Sequence, residues 1–215
     1  MQNIVSYFLD LPLLELLAVL LSLVYVLLAA KGNNWCWPAA FISTALYTFI
    51  FYDVALLMDS ILNVYYMAMA IYGWFSWQSG NSTHNTQQNE LVINRLPWLL
   101  HVKIISLLAL ISLMLGYLMA TYTQAAFPYI DTATTVFSVF ATYLVAKKVL
   151  ENWLYWLVID FVSIYLYVEK ALQPTAALFS VYVVLSIYGY WQWHQKIKIQ
   201  SIKSNVAADT NMVQI

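Results

Sequence analysis

Cysteine occurs once, at Cys36, so the chain has no internal disulfide and no thiolate metal site. Charge is scarce too: Asp, Glu, Lys and Arg make up 9% of 215 residues and the formal net charge is −1. That balance offers no basic surface for nucleic acid. The three histidines, His84, His101 and His194, fall in loops or at the ends of apolar runs. No paired metal ligands and no Ser or Cys nucleophile motif lie deep in those runs, which argues against an enzyme and against a bound metal or cofactor. A phosphate-binding loop is missing, which argues against ATP-driven pumping. Lysine is absent between Lys170 and Lys196, so the last apolar run cannot form a retinal Schiff base. The N-terminus lacks a Lys/Arg cluster and carries Asp10, so a cleavable signal peptide is not expected.

What is present is apolar. Hydrophobic residues reach 63% and aromatic ones 17%, more than a soluble domain of this length could bury in one core. Apolar windows of about 20 residues suit membrane helices. Seven are expected, at 11–30, 35–52, 55–77, 98–120, 127–148, 152–169 and 174–194. The polar segment 78–97 divides them into three, one and three. The expected organisation is a first three-helix unit (1–78), a polar loop and linker helix (79–126), a second three-helix unit (127–195) and a polar, mobile tail (196–215). The fold class is all-α integral membrane. Span 98–120 carries no charge deeper than Lys103 and should face mostly lipid.

Loop charges predict an orientation. With the connections on alternating sides, Lys31, Arg95, Lys103, Lys147, Lys148, Lys196, Lys198 and Lys203 share one side, and only Lys170 lies on the other. By the positive-inside rule the N-terminus is outside and the C-terminus cytoplasmic. Asp10, Glu15, Asp53, Asp59, Asp131 and Glu169 collect near the outer ends. Either the outer loops merely lack lysine, or their field concentrates a cationic solute.

Two stretches nearly coincide: IYGWFSWQ at Ile71–Gln78 and IYGYWQWH at Ile187–His194, offset by 116. The same offset pairs Ala55 with Ala171, Leu56 with Leu172, Tyr66 with Tyr182 and Trp77 with Trp193. Earlier in the unit an offset of 118 pairs Tyr25 with Tyr143, Asn34 with Asn152 and Trp35 with Trp153. One unit plus the linker makes an even number of crossings, so the repeats are parallel, as in small sugar transporters of the SWEET type.

Asp160 sits near the middle of the sixth run, where a carboxylate costs roughly 2.5–3.5 kcal/mol on insertion scales. No Lys or Arg lies at comparable depth to pair with it. Solute contact, a helix–helix hydrogen bond and proton coupling are the three roles open to it. Helical spacing places Asn152, Trp156, Asp160, Ser163 and Tyr167 on one face. Asp59, Asn63, Tyr66, Ala70, Gly73 and Trp77 share another, and Tyr182, Ser186, Gly189 and Trp193 a third, with Tyr188 beside it. Asp131, Thr135, Ser138 and Thr142 line the fifth run, and Ser43 and Tyr47 mark the second. A polar stripe alone is usually packing glue. Several converging on one axis suggest a solute pathway, with Tyr47, Asn63, Tyr66, Asn152, Trp156, Asp160, Ser163, Tyr182 and Tyr188 as candidate contacts. Aromatic faces and a carboxylate suit a flat cation. Gly73 and Gly189 suggest close helix packing more than hinges.

NVYYMAMAIYGWFSW at 63–77 and ENWLYWLVIDFVSIYLY at 151–167 resemble the PnuC family of bacterial vitamin transporters over nearly the whole chain. The resemblance implies seven spans in 3+1+3 order in the inner membrane. It implies facilitated diffusion of nicotinamide riboside, trapped afterwards by a cytosolic kinase that need not bind the carrier. Self-association into a homo-oligomer is left open. Relatives in the thiamine (PnuT) branch and riboflavin carriers are similar. The chain departs from the riboside pattern: Asn63 stands where Gln is usual, Ala70 where Asn is frequent, Asp160 where Trp-x-x-x-Asn ends, and Tyr188 where an Asn precedes the Gly. Lost amide partners disfavour the old ligand, and Asp160 could answer a thiazolium and an aminopyrimidine. Thiamine is therefore the expected solute and nicotinamide riboside the alternative. A non-transporting sensor or structural subunit is the weaker rival.

Overall fold

The computed structural model describes residues 13–53, 57–79, 92–169 and 173–213. They form seven helices: α1 (Leu13–Lys31), α2 (Cys36–Asp53), α3 (Leu57–Ser79), α4 (Trp98–Tyr122), α5 (Pro128–Ala146), α6 (Asn152–Glu169) and α7 (Gln173–Val213). The 3+1+3 order is as expected. Asp10, Ala55, Leu56, His84, Lys170, Ala171, Leu172 and the side chain of Asp59 lie outside the described residues.

By length and composition alone α1, α4 and α5 are able to cross a bilayer. The other helices carry more Trp, Tyr, Ser and Asn, which lowers their hydropathy and equips their inner faces. Neighbouring helices close into a ring in the order α1, α2, α3, α5, α6, α7 and back to α1. α4 stands outside it, packed on α5. Its Leu99, Val102, Leu107, Leu110, Leu113 and Met114 are exposed, as a lipid-facing helix requires, and only Ser112 and Gly116 are buried. Gly116 lets Tyr129 approach closely, and Thr132 Oγ1 donates to the Ser112 carbonyl at 3.2 Å. Small residues at a membrane helix contact work in this way.

The two halves of the ring match at a single offset of 116, and the expected offset of 118 in the earlier part is overturned. Gly32 (φ 70°) and Lys148 (φ 57°) are both left-handed residues just beyond a helix end. Around each, the same hydrogen-bond pair closes the helix: Gly32 N–H to Ala29 O and Asn33 N–H to Leu28 O, then Lys148 N–H to Val145 O and Val149 N–H to Leu144 O. These are Schellman closures, which favour glycine at the left-handed position. Trp37, not Trp35, is the mate of Trp153. Trp35 is exposed and packs edge-on against Trp74, whereas Trp37 and Trp153 are buried against Gly73 and Gly189. Two tryptophans two residues apart make either register plausible on paper; the packing slot selects one.

The segment before α4 is pinned to the α5–α6 turn. Asn94 N–H donates to Lys148 O (2.8 Å) and Leu150 N–H to Asn94 O (2.9 Å). Ile93 enters the buried core beside Trp77, Leu150 and Trp193. Lys148 Nζ reaches the Trp77 carbonyl at 3.3 Å, and burial pulls its ammonium below the usual lysine range. The polar tail continues α7 as helix to Val213. At 1.5 Å per residue the 41-residue helix runs about 60 Å, roughly twice a bilayer's hydrocarbon thickness.

Candidate functional site

Inside the ring, a closed layer at the basic end and a polar layer above it are built differently. The closed layer consists of four tryptophans in file. Trp37 meets Trp77 edge-on at 5.3 Å between centroids, Trp77 meets Trp193 at 6.1 Å, and Trp193 meets Trp153 edge-on at 5.6 Å. All four are buried. The central pair is latched to the opposite repeat: Trp77 Nε1 donates to Val145 O (3.3 Å) and Trp193 Nε1 to Ala29 O (3.0 Å). The outer pair, Trp37 and Trp153, fit only because Gly73 and Gly189 have no side chain. A Cβ there would stand 2.3 Å and 2.6 Å from the indoles.

Two to three turns further along the helices lies the polar layer. Tyr182 OH and Ser22 Oγ are 2.6 Å apart, joining α7 to α1. The twofold mate of this bond joins Tyr66 on α3 to Ser138 on α5. Here the symmetry stops. Asp160 on α6 is 2% exposed and accepts a hydrogen bond from Ser186 Oγ on α7 at 3.2 Å. The offset of 116 places Thr44 and Ala70 where these two have their mates. Thr44 merely bonds back to the Ala40 carbonyl of its own helix. Tyr182 lies within electrostatic reach of Asp160.

Of the other expected site residues, Ser163 is buried one turn along α6 from Asp160, and in the other half Asn63 is buried one turn along α3 from Tyr66. Tyr47 stacks on Phe51 at 5.6 Å towards the acidic end of α2. Two residues fall elsewhere. Asn152 begins α6 in the tryptophan layer, eight residues or about 12 Å along the helix from Asp160. There its Nδ2 donates to Val149 O at 2.6 Å. Tyr188 is turned towards the basic end, where its OH accepts from Gln192 Nε2 at 2.8 Å. Trp156 packs against the buried core beneath Asp160. Ser22 and Tyr25, which share a face of α1, were not among the candidate contacts, although Tyr25 was noted in the repeat. Their spacing of three was the available signal, hidden in a uniformly apolar helix. Among the described residues no group of His, Cys, Asp and Glu could hold a metal.

A family model described as nicotinamide mononucleotide transporter matches residues 12–195. The chain belongs to that family. It is 27% identical over 204 residues to the nicotinamide riboside transporter PnuC of Escherichia coli, covering 82% of each chain. It is 23% identical over 180 residues to the riboflavin/roseoflavin transporter RibM of Streptomyces davaonensis, covering 83% of each. A crystal structure of the vitamin B3 transporter PnuC superposes with a TM-score of 0.72 at 20% identity, covering 91% of this chain and 87% of the other. That likeness gives the fold: a multi-pass membrane protein of seven helices in parallel 3+1+3 repeats.

Proposed function

We propose that the chain carries a small, flat, positively charged vitamin across the bacterial inner membrane, with nicotinamide riboside as the solute. The relatives named for that compound favour it over thiamine, the solute expected from the departures in the sequence. The carrying observation is Asp160, a buried carboxylate held by Ser186 inside the helix ring, with no lysine or arginine at its depth among the described residues. A pyridinium would supply the missing positive charge, and Tyr66 and Tyr182 offer rings for cation–π contact of about 0.5–2 kcal/mol each. Asn63 would meet the ribose or carboxamide. The basic end faces the cytoplasm, as the distribution of lysines favours. Movement is by facilitated diffusion, made one-way by cytosolic phosphorylation of the product.

Thiamine remains the second reading, favoured by the same carboxylate standing where riboside carriers usually show Asn. Counterflow in proteoliposomes with labelled nicotinamide riboside and labelled thiamine distinguishes them. Riboside uptake without thiamine uptake supports the first; thiamine alone reverses the order. Purified protein that exchanges neither rejects the transport reading.

A further inference from the structure

The transport reading leaves Tyr25 without a role. Tyr25 lies on α1 three residues beyond Ser22, and its ring packs on Trp37 at 6.2 Å between centroids. Its phenol lies within electrostatic range of the Tyr66 and Tyr182 phenols and the Cys36 thiol, so Tyr25 of α1 shares its region of the ring with Tyr66 of α3 and Tyr182 of α7. Two of them are held: Tyr182 by Ser22 and Tyr66 by Ser138, each across the repeat boundary. The Tyr25 hydroxyl has no hydrogen bond among the described residues.

Symmetry sharpens the contrast. Three pairs of held groups, Ser22 and Ser138, Tyr66 and Tyr182, Trp77 and Trp193, recur at the offset of 116. Tyr25 falls opposite Ala141, just as Asp160 falls opposite Thr44. Groups on one repeat alone are free to fit a solute that has no twofold axis. A phenol in a mostly apolar setting gains most from a partner that arrives with the ligand, since an unmade hydrogen bond there is costly.

We propose that Tyr25 is a specificity-determining residue of the solute site: its hydroxyl bonds a hydroxyl or amide on the uncharged end of the solute while Asp160 faces the charged end. This rests on the transport reading above, and it fixes the direction in which the solute lies, from α6 and α7 towards α1.

The test is Tyr25→Phe, with nicotinamide riboside and its singly deoxygenated analogues as probes and ligand-free melting as the control. The variant keeps its ligand-free melting temperature, because no protein hydrogen bond is lost. Its half-saturating riboside concentration rises about 3- to 10-fold, the ratio expected for one neutral hydrogen bond. One analogue loses affinity in the wild-type protein but none further in Tyr25→Phe, which identifies the bonded group. A lowered melting temperature with unchanged affinity makes the hydroxyl structural and overturns the inference. Unchanged affinity and melting together also overturn it. Wild-type protein that binds none of the probes removes the transport reading and this inference together.

Discussion

Trp37 and Trp153 fill equivalent slots in the two halves of the ring, each with its indole laid where a glycine of the third helix of its own repeat leaves room. Both indole N–H groups are buried without a partner among the described residues, while those of Trp77 and Trp193 between them are satisfied by carbonyls of the opposite repeat. The layer is thus latched at its centre and wedged at its flanks.

Gly73→Ala and Gly189→Ala should each overpack a wedge. A new Cβ at 2.3 or 2.6 Å from an indole costs about 1–3 kcal/mol, as for other enlargements in a packed core. Thermal unfolding in detergent should show a fall for both.

Cys36 reports on the latch. Its thiol is fully buried beside Trp37 and Trp77, so a membrane-impermeant maleimide should label it slowly. Trp77→Ala removes the bond to Val145 and the central ring, and labelling should rise at least ~10-fold, the ratio for about 1.4 kcal/mol of easier opening. Equal labelling rates would mean that the tryptophans do not close the basic end.

Asp160→Asn preserves an acceptor for Ser186 Oγ but removes the charge. Losing a unit charge that faces the cation is worth roughly 2 kcal/mol or more at an effective dielectric of about 20, so affinity for a cationic vitamin should fall at least about 10-fold wherever the carboxylate is ionised. Counterflow that stays intact while dependence on a proton gradient disappears would assign the carboxylate to ion coupling instead.

The two helix closures should respond differently to substitution. Gly32→Ala forces a Cβ into a left-handed turn and should cost about 1–2 kcal/mol. Lys148→Gly relieves that strain but gives up the Nζ bond to the Trp77 carbonyl and the ammonium above its ring at 5.7 Å. Its net effect on unfolding should stay within about 1 kcal/mol, since the two terms oppose each other.

Composition and periodicity made the membrane class, seven helices and duplicated halves legible, because a bilayer imposes length and apolarity on each span separately. The inward stripes on α3, α6 and α7 were legible too: Asn63, Ala70, Gly73 and Trp77 are all buried, as are Asp160, Ser163, Ser186 and Trp193. Thr135 was misread, since the structure exposes it and buries Thr132 instead. Two residues on neighbouring faces of an apolar helix are not separated by periodicity when one of them serves the linker helix. The extent of α7 was also missed, because a polar run after a span reads as tail whether or not its backbone stays helical.

The chain's residues alone determined that it lies in a membrane, that its halves are copies, and that one carboxylate is out of keeping with its surroundings. Those are properties of single segments and need no partner to be visible. Only tertiary packing decided the register of the copies, through which tryptophan a glycine admits, and the company Asp160 keeps, through a serine 26 residues away. Such choices depend on distances between helices, and distance across a ring leaves no trace in the order of residues along it.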